Sequence, residues 1–120
     1  NWLSHELGDS YHRNPTLSFD DGPGGPRRRL VPDGLWFSPY GTALIFEVKS
    51  QHCPEAWFQL RKLYSPAVGA LSFVNRVSCI EVTKSYDPGM GFPEECLLCR
   101  SLREAIEAPA QLLKVLIWRP

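Results

Sequence analysis

Apolar and polar positions change period several times along this chain, and each change marks an element. Trp2-Leu3-Ser4-His5-Glu6-Leu7 reads as the end of a helix stopped by Gly8. From Gly8 to Arg29 the chain is rich in Gly, Pro, Asp, Ser and Arg. Its strongest loop signal is Asp20-Asp21-Gly22-Pro23-Gly24-Gly25-Pro26, so a flexible loop is expected over 18–29. Leu30 to Phe37 is extended but interrupted by Pro32 and Gly34, which predicts an edge strand or a bulge near Asp33. Ser38-Pro39-Tyr40-Gly41 has proline second and glycine fourth, a turn that favours a hairpin into the next strand. That strand, Ala43 to Ser50, is apolar enough to be central. Alternation puts Leu44, Phe46 and Val48 on one face and Ile45, Glu47 and Lys49 on the other.

Pro54-Glu55-Ala56 starts a helix, since proline loses nothing in a first turn. Ala56, Leu60, Leu63, Tyr64 and Ala67 fall at three- and four-residue spacing and mark its buried stripe, with Gln59 on the flank. Pro66 is expected to end or kink it, and Ser65 to cap a second short helix reaching about Phe73. Val77 to Thr83 alternates and is β-branched, a third strand. Ser85 to Pro93 reads as loop, Glu94 to Ala108 as a helix ended by Pro109, and Leu112 to Trp118 as a last strand. The predicted order is helix, strand, strand, helix, strand, helix, strand (α-β-β-α-β-α-β). It implies an α/β fold in one domain over 1–120, with helices flanking a small mixed β-sheet.

Composition narrows the class. Hydrophobic residues make up 43%, with four Trp and six Phe, which argues for a folded chain. No apolar run reaches membrane-spanning length, and the N-terminus lacks a basic segment followed by an apolar core. An intracellular protein with no membrane partner, in cytoplasm or nucleus/nucleoid, is expected. Residue 1 is Asn, so the chain reads as a fragment or a processed product, and the first helix as incomplete. The formal net charge of zero denies a global basic signature, yet Arg27, Arg28 and Arg29 cluster just ahead of Asp33. Of Cys53, Cys79, Cys96 and Cys99, only the last two form a close pair, and His52-Cys53 alone could complete a zinc site. Free thiols are the default reading.

Candidate chemistry gathers around residues 31–50. Asp33 and Glu47 supply hard oxygens suited to Mg²⁺ or Mn²⁺, and Lys49 a cation for an attacking water or a scissile phosphate. Two positions apart on one strand, Glu47 and Lys49 share a face with backbones about 6–7 Å apart. The Val48 carbonyl is an additional candidate ligand. The competing reading is an ordinary strand salt bridge, because Glu-x-Lys is common. Apolar flanks, a Pro-Asp on the preceding strand and a Gln-bearing helix afterwards raise the catalytic reading. His5, His12 and His52 are weaker candidates, and Trp36, beside Asp33, is a candidate to stack on a base. Trp2, Trp57 and Trp118 read as core.

Pro32-Asp33, Glu47-Val48-Lys49, then Gln59 and Tyr64 on the next helix resemble the motif series of the PD-(D/E)XK nuclease superfamily. Phe46-Glu47-Val48-Lys49-Ser50 is similar to the corresponding phrase of archaeal Holliday-junction resolvases and the VRR-NUC group. Gln59-Leu60 with Tyr64 is similar to the helix motif of RecB-type exonucleases. The resemblance covers about residues 30–83 and implies a restriction-endonuclease-like core. It also implies a Mg²⁺-dependent endo- or exodeoxyribonuclease acting in DNA repair, recombination, mobile-element or phage DNA processing. Asp33, Glu47 and the Val48 carbonyl would hold the metal, with Glu6 a loose match for a further acidic ligand. Lys49 would orient or activate water. Gln59 would contact the DNA backbone or help hold the site, Tyr64 would support it, and Arg27, Arg28, Arg29 and Trp36 would meet substrate. DNA is the implied partner, with RNA, a homodimer or a larger complex left open. The alternative is a non-catalytic nucleic-acid-binding or assembly module with the same fold.

Overall fold

A computed structural model of the chain describes residues 2–20, 27–51, 56, 58–85, 96–110 and 113–117. Helix α1 (Trp2–Leu7) leads through a short 3₁₀ turn into strand β1 (Tyr11–Arg13). Strands β2 (Leu17–Asp20) and β3 (Arg27–Leu30) then pair with each other alone as an antiparallel hairpin. Strands β4 (Gly34–Phe37) and β5 (Thr42–Gln51) follow, then helix α2, whose described turns are Gln59–Tyr64 and Ser65–Gly69. Strands β6 (Arg76–Ser85) and β7 (Cys96–Cys99), helix α3 (Leu102–Glu107) and strand β8 (Leu113–Ile117) complete the chain.

Six strands make one mixed sheet in the order β1-β4-β5-β6-β8-β7. The β1/β4 and β4/β5 pairs are antiparallel, and β5/β6, β6/β8 and β7/β8 are parallel. Central strands covered on both sides must be apolar on both sides, and Ala43, Leu44, Ile45 and Phe46 are all buried. On one face, helix α2 packs Leu60, Tyr64 and Val68 against Leu35, Ala43, Ile45, Cys79 and Leu113. On the other, α1 and α3 bring Leu3 and Ala105 against Leu44, Phe46, Ile80, Val82 and Leu116.

The α/β class and the mixed sheet agree with the sequence pattern, but the element order needs three corrections. The loop expected over 18–29 holds most of both hairpin strands, and β1 forms in the Gly- and Pro-rich stretch ahead of it; residues 21–26 lie outside the described part. The extended segment Leu30–Phe37 divides, because Pro32 cannot donate to a ladder and the chain changes sheet there. The helix expected over Glu94–Ala108 is helical only from Leu102. Ser101 Oγ accepts the Glu104 N–H at 3.1 Å, while Glu104 Oε2 accepts the Arg100 N–H at 3.1 Å, a reciprocal cap that fixes the start. Before it, Cys96–Cys99 is a parallel edge strand.

The expectation at Pro66 holds in part: helical bonding is interrupted just before it and a short α-helical stretch follows with Pro66 in its first turn, but that stretch ends at Gly69, short of Phe73, and Ser65 does not cap it. Gln59–Tyr64 is a wide π-type turn, with the Ser65 N–H donating to the Leu60 carbonyl, and Ser65–Gly69 continues as α-helix without a side-chain cap. Proline has no N–H to place in the ladder, and the widened turn falls just where regular helical bonding is interrupted. The buried stripe follows that widening. It runs Ala56, Leu60, Tyr64, Val68 at steps of four, and leaves Leu63 exposed. Pro54 and Glu55 lie outside the described residues.

Candidate functional site

The pairing of β4 with β5 ends at Gly34 opposite Phe46, so β5 runs on past its neighbour. Asp33 occupies the vacated ladder position. Its Oδ2 accepts the Val48 N–H at 2.7 Å, its own N–H donates to Glu47 Oε1 at 3.2 Å, and its carbonyl accepts the Asn14 N–H at 3.0 Å. The N–H and C=O of one strand residue point to the same side, so the Val48 carbonyl faces the edge that Asp33 covers. Lys49 Nζ stands 3.8 Å from Glu47 Oε2, on the same face two residues on. Tyr64 of α2 donates from its hydroxyl to the Val31 carbonyl at 3.5 Å, tying the helix to the segment that carries Asp33.

Charge is concentrated here in little water. Glu47 is 3% exposed, and burial, followed by the nearby Asp33 charge, pushes its carboxyl up to about 7; Lys49 only partly offsets this. Burial and the charges of Glu47 and Asp33 push the Tyr64 phenol up to about 12, so it stays a hydrogen-bond donor at neutral pH. Burial and Asp33 likewise raise the phenol of Tyr11, whose ring lies against Gly34 so closely that any Cβ there would overlap it. The pair of carboxylates is thus held together against its own repulsion.

A divalent cation fits such a place chemically. Two carboxylates and a backbone carbonyl are hard oxygen donors, and Mg²⁺ keeps several of its waters when so few protein ligands are offered. Among the described residues no cluster of three or more His, Cys, Asp or Glu side chains forms, and this site offers two carboxylates. Gln59 Oε1 is also buried, with no hydrogen-bond partner among the described residues.

The other expected site residues are dispersed. Glu6 is exposed on α1, whose Leu3 packs on the opposite face of the sheet, so no contact brings it to Asp33. Trp36 also faces that side, packing with Leu44 and Phe46. Arg29 is exposed on β3; the side chains of Arg27 and Arg28 lie outside the described part, as do His52, Cys53, Trp57 and Trp118. His5 is exposed and His12 stacks near Phe37 with ring centroids 5.9 Å apart. Cys79 and Cys99 are free and buried, and burial raises both thiols, Cys79 to about 11, which keeps them unreactive.

Two residues near the site escaped the sequence reading. Tyr11 precedes every recognisable motif, and only the β1/β4 pairing brings it over Gly34. Glu81, fully buried and itself partnered, lies directly across from Glu47 in the parallel register. Its alternation within β6 was visible, but a strand's alternation does not say which neighbour it meets.

Fold and site together define an α/β protein with a six-stranded mixed sheet and a buried glutamate paired with a half-buried aspartate beside a lysine. Compared with known proteins, the chain matches no family model, and no curated protein or solved structure matches it significantly. No helix among the described residues is long and apolar enough to cross a membrane.

Proposed function

We propose that the chain is a divalent-metal-dependent nuclease that hydrolyses phosphodiester bonds in DNA. The observation that carries this is the interlock of Asp33 and Glu47, each bonded to the other's segment, with Lys49 3.8 Å from the second Glu47 oxygen. The path of the chain supports it. With the β2/β3 hairpin set aside as an insertion, α1, β1, β4, β5, α2 and β6 run helix, three antiparallel strands, crossover helix, parallel strand. The order expected from the sequence has two strands before that helix; the chain has a further strand, β1, with Asp33 just ahead of β4 and Glu47 on β5.

Asp33, Glu47 and the Val48 carbonyl would hold the metal, which when bound supplies a Lewis acid for the phosphate and lowers the pKa of a bound water. The chain's own groups do the rest. Lys49, 26% exposed at its side chain, reaches toward solvent and can orient the attacking water while offsetting charge on the phosphate oxygens. Tyr64 keeps the Asp33 segment in place through Val31. Arg29, exposed on the hairpin that leads into Asp33, would contact backbone phosphate.

The test incubates the chain with supercoiled, linear and branched DNA, with Mg²⁺ or Mn²⁺ and with chelator, and compares Asp33→Ala and Lys49→Ala. Metal-dependent cutting lost in both variants is expected. Cutting that survives both would overturn the site, and binding without any cutting would favour a non-catalytic module.

A further inference from the structure

On the α1/α3 face of the sheet, away from Asp33 and Glu47, a cavity of about 320 Å³ opens between the starts of β5 and β6 and the end of α3. Trp36, Leu44 and Ile106 give it apolar walls, Arg76 lines it from an exposed position, and the buried Ser78 lines it from within. Behind Ser78, Lys114 of β8 is completely buried and donates from its ammonium to the Ser78 hydroxyl oxygen.

The charge balance there is incomplete. Among the described residues no carboxylate pairs with Lys114. The titratable groups whose charges reach it are the Cys99 thiol and Arg76 guanidinium and, from the α2 side of the sheet, the Cys79 thiol and Arg61 guanidinium. A buried cation without an opposite charge is unfavourable, and the two neighbouring guanidinium groups make it more so. The hydrogen bonds are incomplete as well. A hydroxyl that accepts from an ammonium still has its own hydrogen to give, and no described residue accepts it from Ser78.

We propose that this cavity binds a small carboxylate with an apolar body. The carboxylate accepts from the Ser78 hydroxyl and pairs with Arg76, supplying the charge that Lys114 lacks, and the body lies against Trp36, Leu44 and Ile106. The volume is at the small end of ligand pockets, which run from about 300 to 1,000 Å³, so a single ring or branched chain is the scale that fits. The apolar walls favour such a body over inorganic phosphate, which has none. This site lies on the opposite face from the carboxylate pair and stands apart from the nuclease reading.

The test titrates the full chain with sodium benzoate, with neutral benzamide and with inorganic phosphate, following the Trp36 indole and backbone amide signals by NMR. Benzoate is expected to shift the Trp36, Arg76 and Ser78 signals saturably, with benzamide and phosphate at least about tenfold weaker. Ser78→Ala and Arg76→Gln should each weaken benzoate about tenfold, the loss of one charge-assisted bond. Arg76 is exposed, so its replacement leaves the fold intact and the comparison readable. Equal affinity for benzoate and benzamide, unchanged benzoate affinity in both variants, or no saturable shift would overturn the proposal. Phosphate binding as tightly as benzoate would overturn the assignment to apolar carboxylates.

Discussion

The two faces of the sheet bury opposite charges in opposite ways. On the α2 face, Glu47 is 3% exposed beside a second acid, yet Lys49 stands 3.8 Å away and the site opens toward solvent through that lysine. On the α1/α3 face, Lys114 is completely buried behind a serine, with cations and thiols for company. Burial pushes each group toward its neutral form, Glu47 upward and Lys114 downward. The difference lies in what would relieve them: a cation on one face and an anion on the other. A buried charge kept in this state stabilises nothing by itself, which is why each is read as a place for a ligand.

The largest effect should fall on activity. Lys49→Ala is expected to lower the cleavage rate by about 10²–10⁴-fold, the range for a group that moves or positions a proton. Its melting temperature should hardly change, because a partly exposed pair at 3.8 Å contributes little. Loss of stability without loss of rate would reverse the roles assigned to the two ends of that pair.

Stability should show the contrast between faces through opposite pH dependences. The folded-state pKa of Glu47 is raised from 4.5 to about 7, so the stability linked to its protonated form is full below pH 4.5 and is lost as pH rises through about 7. Glu47→Gln removes that loss while keeping an oxygen for the Asp33 N–H. It should stabilise the metal-free protein at pH 8 by up to about 3 kcal/mol and do little at pH 4, as read by denaturant midpoints. Lys114 is lowered, so its linked stability is present above the ordinary lysine pKa of 10.5 and is lost as pH falls through the folded value. Lys114→Met, combined with Ser78→Ala, should therefore gain most at neutral and lower pH, and least at pH 10–11. Parallel pH profiles for the two variants would break the comparison.

A smaller effect sharpens the geometry of the acid face. Gly34→Ala would drive a methyl into the Tyr11 phenol and should cost about 1–3 kcal/mol, measured by thermal or denaturant unfolding. An unchanged midpoint would mean that β1 does not hold Tyr11 over the Asp33 segment as described.

Much of the acid face could be read from sequence because the information is local. Asp33 and Glu47 flank a turn at Ser38–Gly41, so a hairpin must bring them together, and alternation alone puts Glu47 beside Lys49. The opposite face could not be read this way. Lys114 sits in an apolar run, Leu113 to Ile117, and only the register Ile80 to Lys114 shows that it lies under Ser78's strand. The β2/β3 hairpin was hidden because three successive arginines do not alternate in polarity. Strand β7 was hidden because four residues of Cys and Leu fit a helix as well as a strand. The start of α3 was readable after all: Ser101-Leu102-Arg103-Glu104 is a capping-box pattern, and it excludes a helix running from Glu94. Glu6 and Trp36 were assigned by sequence proximity or motif order, which carry no information about which face of the sheet a residue meets.

Under the proposed function the carboxylate face holds a divalent cation and the lysine face does not. Substoichiometric Mn²⁺ added at pH 8 to the ¹⁵N-labelled chain tests this directly, because paramagnetic broadening marks the amides near the ion. Selective broadening of Asp33, Gly34, Glu47, Val48 and Lys49, abolished in Asp33→Asn and absent at Arg76, Ser78 and Lys114, is the predicted result. Uniform broadening, none at all, or broadening centred on the Ser78–Lys114 side would contradict it.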